Sequence, residues 1–418
     1  MRKPVAVFLI LAVILMFQCN VFAEADQENS SLILTLDECM DKAIAYNHHD
    51  EILKQQLEDL WEQHNELFAM SHAIQEQLDV LDRYEFLYDK SIGDLSLTID
   101  EENELLAYQT IFGPKPPVYS STQMYEQFIK NRDIPHYSVW AAIQNIETSR
   151  RVISASIESG VKQIFDGLID MQDMLTIQEQ LYENMKKQNE QMLTRYNKGM
   201  VSEINKYMSD CALEKQKLSI DKTKRSIDNM MMLLKQQIGI PLNQEIELSY
   251  VKAKGVKQAN TYNTYLNKAL SNRNEILTAK MDLQTTKREN DIMKQYITNE
   301  LLVERMESDM ALDEKQIAYD EAVNNVTLDI SYGYKDVQLK FSNFFISIEK
   351  LQNAERQYKE AEMRYEKGLI SLADLWNVEI SYSQAKLEYN RAMRDNNNAV
   401  YKLNAASGIG PGYASGGY

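Results

Sequence analysis

The residues most able to do chemistry are few and scattered. Histidine occurs at His48, His49, His64, His72 and His136. His64 and His72 fall two turns apart on an expected helix. Neither belongs to an H-E-x-x-H pair and no cysteine partners them, so zinc has no ligand set. The cysteines are Cys19, Cys39 and Cys211. They are too dispersed for a disulfide framework, and Cys39 and Cys211 read as small buried apolar side chains. There is no glycine-rich phosphate loop and no Gly-x-Ser-x-Gly elbow. Abundant Asp and Glu read as a solvated helix surface. The expectation is a protein that is not an enzyme, with no catalytic, cofactor-binding or metal-binding residue assigned. Formal charge is −17 over 418 residues, and −19 once the first 23 residues with Arg2 and Lys3 are removed. Such a chain is a poor ligand for nucleic-acid phosphates.

What does recur is a turn motif. Arg195-Tyr196-Asn197-Lys198-Gly199-Met200-Val201-Ser202 returns as Arg364-Tyr365-Glu366-Lys367-Gly368-Leu369-Ile370-Ser371. The pattern is R-Y-x-K-G, two apolar residues, then Ser. Its physics is a tight reversal between helices. The glycine ends the incoming helix in the left-handed conformation, and the serine caps the outgoing one. Asn205 and Asp374 sit in the capping-box position three residues on. A plain reversal explains Gly and Ser; reuse of Arg-Tyr and of the apolar pair favours an exposed docking surface. Asp210 and Asp374 are candidate entrance acids, with Asp374 fitting a cap equally well.

The elements around these tips are long helices. Glycine (14) and proline (7) are scarce, which favours helix. From His136 to Lys198 the residues Ile157, Val161, Ile164, Leu168, Met171, Leu175, Gln178, Tyr182, Met185, Asn189, Met192 and Tyr196 step by four and three. This is a heptad stripe with polar breaks at Gln178 and Asn189. Unbroken, that helix would be about 95 Å long at ~1.5 Å per residue.

The N-terminus reads as a signal peptide (1–23), with Arg2 and Lys3, an apolar run from Val5 to Phe17, and Val21-Phe22-Ala23 before the cleavage point. A polar lead-in covers 24–34. A first helical-hairpin repeat spans 35–239, interrupted at 84–135 by an irregular insertion holding four of the prolines. It offers a weak strand near Leu95 to Ile99. A linker (240–260), with a short strand expected between Glu245 and Val251, leads to a second repeat at 261–407. A flexible glycine-rich tail closes the chain at 408–418. Lys268-Ala269 matches Lys42-Ala43, and Glu275-Ile276-Leu277 matches Glu51-Ile52-Leu53. The first unit is the longer by about the length of the insertion. The fold class expected is all-α: two tandem repeats of long antiparallel coiled-coil hairpins with little or no strand.

These residues resemble the TolC-like outer membrane efflux proteins over nearly the whole mature chain. The likeness rests on Leu34-Thr35-Leu36-Asp37-Glu38 with Ala43-Ile44-Ala45-Tyr46-Asn47, on the paired tips, on Ile238-Gly239-Ile240-Pro241-Leu242 closing the first unit, and on the twofold repeat. It implies a homotrimer whose helices form a hollow barrel, the passive exit duct of a tripartite efflux pump or type I secretion system. It further implies a periplasmic adaptor (membrane fusion protein) docked at the tips and an inner-membrane transporter of ABC, RND or MFS type. Carried onto this chain, the docking positions are Arg195, Tyr196, Gly199, Met200, Val201 and Ser202 with Arg364, Tyr365, Gly368, Leu369, Ile370 and Ser371. The implied location is the outer membrane or periplasm, or a cell wall where no outer membrane exists. The chain departs from the family at the membrane end. A spanning strand needs roughly 9 to 11 alternating residues, and the second unit offers none, so the β-barrel portion reads as reduced or missing. The rival reading is a structural coiled-coil envelope protein without a conduit. A third, the pump's adaptor, predicts a β-rich domain flanking a single hairpin.

Overall fold

The structure, a computed structural model, describes residues 32–93, 96–250, 255–299 and 302–413. The expected signal peptide and residues 24–31 of the lead-in lie outside these. Strand β1 (Leu32–Leu34) leads into helix α1 (Leu36–Tyr46). Thr35 caps α1 through a full capping box: Glu38 N–H donates to Thr35 Oγ1 at 3.3 Å, and Thr35 N–H to Glu38 Oε2 at 2.8 Å. The axis breaks at Asn47, whose Oδ1 accepts from His49 N–H and starts α2 (His48–Ile92). Helix α3 (Ile99–Phe112) folds back on α2. Short turns α4 (Ser121–Met124), a π-helical stretch (Tyr125–Ile129) and α5 (Lys130–Asp133) then lead to α6 (Pro135–Asn197). Helix α7 (Glu203–Gln237) returns from the first tip, and β2 (Ile246–Leu248) pairs in parallel with β1.

The second unit repeats this plan. Helix α8 (Tyr262–Asn272) breaks at Arg273 before α9 (Asn274–Tyr296). Helix α10 (Val303–Glu366) descends to the second tip, and α11 (Leu372–Ala406) returns. The descending helices have 63 and 64 residues and the returning helices 35 each. The repeat is therefore close to symmetric from the tips upward. The described strands are three residues long, far short of a membrane-spanning one. Among the described residues no helix is long and apolar enough to cross a membrane.

The long helices pack in the order α7–α6–α11–α10. Each unit keeps its own core where its broken pair of helices leans on its hairpin. In the first, Cys39 and Ala43 meet Val161, Phe165, Leu168 and Leu234; in the second, Tyr265 and Ala269 meet Val326, Ile330 and Leu403. The polar breaks in the α6 stripe are rungs to α7. Gln178 Oε1 accepts from Thr223 Oγ1 at 2.9 Å, and Asn189 Oδ1 accepts from Ser209 Oγ at 2.5 Å. Buried polar pairs of this kind hold a coiled coil in one register.

Several sequence expectations need correction. Residues 84–135 are mostly helical, not irregular. Thr98 and Glu101 make a capping box for α3, Gly93 ends α2, and the acidic run at 100–104 is the favoured first turn of a helix. The strand expected near Leu95–Ile99 is not present in the described part, where Ile99 is already helical. The glycine-rich tail is packed as far as Tyr413: its N–H donates to Asp329 at 2.8 Å and its hydroxyl to Asp336 at 2.5 Å. The ring lies on Gly333, where a Cβ would come within 2.7 Å of it. Cys39 is fully buried, and burial pushes its thiol up to about 11, but Cys211 is exposed. The Glu51–Glu275 match is two residues out of step. Asn47 and Arg273, the true counterparts, each follow the matched lysine by five residues.

Candidate functional site: the hairpin tips and the layer edges

Both tips close by the same hydrogen bonds. Gly199 N–H donates to Tyr196 O at 2.8 Å and Met200 N–H to Arg195 O at 2.9 Å. Gly368 N–H donates to Tyr365 O and Leu369 N–H to Arg364 O, both at 2.9 Å. This is a Schellman ending, and each glycine has φ of +73°. A Cβ at either glycine would meet nothing within 4 Å, so backbone conformation alone demands glycine. Ser371 and Asp374 form a complete capping box. Asp374 N–H donates to Ser371 Oγ at 3.1 Å, while the Ser371 hydroxyl and amide hold the Asp374 carboxyl below its usual range. Ser202 accepts from Asn205 N–H at 3.4 Å, without the reciprocal bond.

The apolar pair behaves alike in both copies. Met200 and Leu369 point into solvent at 72% and 71% exposure, while Val201 and Ile370 are half-buried. The tips also touch one another. The Arg195 guanidinium lies over the Tyr365 ring at 5.6 Å, whereas Arg364 pairs with Glu360 on its own helix at 2.6 Å. Behind them Leu181, Met185, Leu372 and Trp376 form a small core joining the two hairpins. Of the candidate entrance acids, Asp210 accepts from Asn189 Nδ2 at 3.1 Å and Asp374 serves its cap. The structure thus brings the two motifs together at one end of the molecule.

Sequence reasoning did not foresee the two lateral edges of the layer. Helix α7 packs chiefly against α6, and its far side carries Ile204, Cys211, Leu218 and Met232 in heptad register, all exposed. On the opposite edge α10 exposes Tyr332, Leu339 and Ile346, also seven apart. Unpaired heptad stripes are seams in search of a partner helix. The two helices that carry these edges also differ in net charge. Helix α7 has seven Lys/Arg against five Asp/Glu, and α10 has eight against fourteen. Sevenfold spacing was the available sequence signal. It was masked because the inward stripe has the same period.

No protein-family model and no curated protein matches the chain in sequence. Its fold does match solved structures. The outer membrane protein VceC from Vibrio cholerae is 12% identical, with 88% of this chain and 95% of that one covered at a TM-score of 0.61. CusC, solved in a study of folding and transmembrane channel formation, is 10% identical, with 92% and 95% covered and a TM-score of 0.63. The open state of the MtrE outer membrane channel of Neisseria gonorrhoeae is 11% identical, with 89% of both chains covered and a TM-score of 0.53. At these identities the likeness establishes the fold: the chain has the helical architecture of TolC-like channel proteins.

Proposed function

We propose that this protein is the passive export-duct subunit of a tripartite efflux or type I secretion system, three copies closing into a helical tunnel. The observation that carries this reading is the pair of unpartnered edges. An apolar stripe on α7 faces outward on one side and an apolar stripe on α10 on the other. An interface between different edges propagates head to tail, and when each step rotates the layer it closes into a ring. The helices at such a joint run antiparallel, as they do within the protomer. In this reading the exposed tip residues Met200 and Leu369 meet a periplasmic adaptor, and an inner-membrane transporter supplies the energy. The place of action is the outer membrane or cell envelope.

The structural-spacer reading needs the same helices but no lumen. The discriminating experiment places cysteines at Leu218 and Leu339 in a C211S background and applies a short crosslinker in cells. The duct reading expects a closed three-copy product, and loss of cargo export when Leu339 and Ile346 are changed to lysine. A strictly monomeric product, with export unchanged on deleting the gene, would overturn it.

A further inference from the structure

A carboxyl group is buried where the two hairpins meet just above the tips. Glu379, on α11, is 3% exposed. Asn184 of α6 donates Nδ2–H to Glu379 Oε1 at 2.5 Å. The other oxygen, Oε2, is buried without a hydrogen-bond partner. So is Oε1 of Gln188, one turn further along α6, whose side chain also meets this carboxyl. Two buried acceptors without a donor are a costly arrangement. A proton on Glu379 Oε2 turns one of these acceptors into a donor and removes the buried charge.

No cation faces the carboxyl, and only the side-chain hydrogen bonds of Asn184 and Gln188 favour its charged form. The α6 groups facing Glu379 are the neutral Asn184 and Gln188. From α10 come Glu362, whose charge repels a second carboxylate, and Tyr358, which donates to Glu362 at 3.2 Å. On α11 itself Tyr382 stacks on Tyr358 at 5.5 Å. Burial, with no cation opposite, pushes the Glu379 carboxyl above its ordinary range.

We propose that Glu379 is a proton-operated bolt between the two hairpins: as the neutral acid it stays seated in the dry joint between α11 and α6, and on ionisation the buried charge, repelled by Glu362, drives the joint open to water. The joined state holds its proton more tightly than the parted state, in which Glu379 meets water. Joining is therefore fully supported below the ordinary carboxylate range and weakens as pH rises toward the raised value. The joint is a small core of Leu181, Met185, Leu372 and Trp376 plus the Arg195–Tyr365 contact, so one buried charge is a large perturbation there. Control of a duct entrance by this bolt rests on the function proposed above. The bolt itself does not, and its test reads hairpin separation, not export.

The test uses the full-length protein with spin labels at the exposed tip positions Lys198 and Lys367, in a C211S background. Distance distributions are recorded from pH 5 to pH 8. The bolt predicts a single short distance at low pH. A longer population then grows by up to about tenfold per pH unit, the limit for one proton. E379Q, a neutral isostere, should stay short throughout. A wild-type distribution that does not change with pH overturns the proposal. So does a wild-type shift that E379Q reproduces. Should E379Q fail to fold, the wild-type titration decides, together with infrared detection of a protonated carboxyl lost over the same pH range.

Discussion

Replacing Arg394 by alanine removes a cation that ties the two hairpin units together across a buried boundary. Arg394 lies on α11 and is 5% exposed; its Nη1 donates to Asp173 at 2.6 Å and its Nε faces Asp170, both on α6. Asn390 adds a longer bond to Asp173 at 3.5 Å. Taking one partner from a buried ion pair costs about 3–5 kcal/mol. Because Asp170 and Asp173 keep 26% and 22% of their side chains exposed, some rehydration is available and about 3 kcal/mol is expected. The deficit should depend on pH. Burial already holds the Asp170 carboxyl above its usual range despite Arg394. Without the arginine that rise grows. A carboxyl with a raised pKa favours the folded form at low pH, an advantage lost as pH rises, so acid should rescue the variant. The recovery is limited to about 1.4 kcal/mol per pH unit for each proton taken up. The assay is urea unfolding at pH 5 and pH 7.5, with hydrogen exchange on the facing stretches of α6 and α11. Arg394→Lys keeps the charge but not the planar fork and should fall between the two. A loss below about 1 kcal/mol at neutral pH, or equal losses at both pH values, would refute this account of the boundary.

Gly368→Val should strain the second tip by roughly 2 kcal/mol with no steric clash, and Gly368→Asn should cost little, since asparagine tolerates the left-handed conformation; faster exchange at the Leu369 amide reports it. Truncation after Gly412 should expose the Gly333 face of α10 and lower stability by about 2 kcal/mol, less than the loss of a fully buried aromatic because Tyr413 is half-buried; an unchanged unfolding midpoint would contradict the packing of Tyr413. In the folded, unassembled protein maleimide should label Cys211 rapidly and Cys39 only on unfolding; comparable rates would disprove the burial of Cys39. Salt should weaken assembly by screening the α7–α10 charge difference, visible as a shift toward monomer in sedimentation as ionic strength rises.

The parts of the molecule that were legible from sequence are those governed by local chemistry. Gly199, Gly368, Ser202 and Ser371 announced both tips, because a left-handed glycine and a serine cap work through neighbours a few residues away. Thr35 with Glu38 announced α1 in the same manner. The misread parts depend on distant partners or on composition. Prolines at 114, 116 and 117 made the whole of 84–135 look irregular. They in fact crowd one short connection, and Thr98-x-x-Glu101 was a readable helix start. Glycine at 408, 410 and 412 suggested a loose tail, yet Tyr413 is held by a glycine on another helix. Glu275 resembled Glu51 in sequence but serves Arg273, which it binds at 2.6 Å. Glu379 carries no local mark at all, since its burial arises only when α11 meets α6.

The account stands or falls on what the free edges of the layer do. Cryo-electron microscopy of the assembled full-length protein measures this directly. It should show three copies joined α7 to α10, twelve long helices around an open, water-filled lumen, with both tip motifs at one mouth. Helices packed into a solid bundle, or copies joined through any other face, would contradict it.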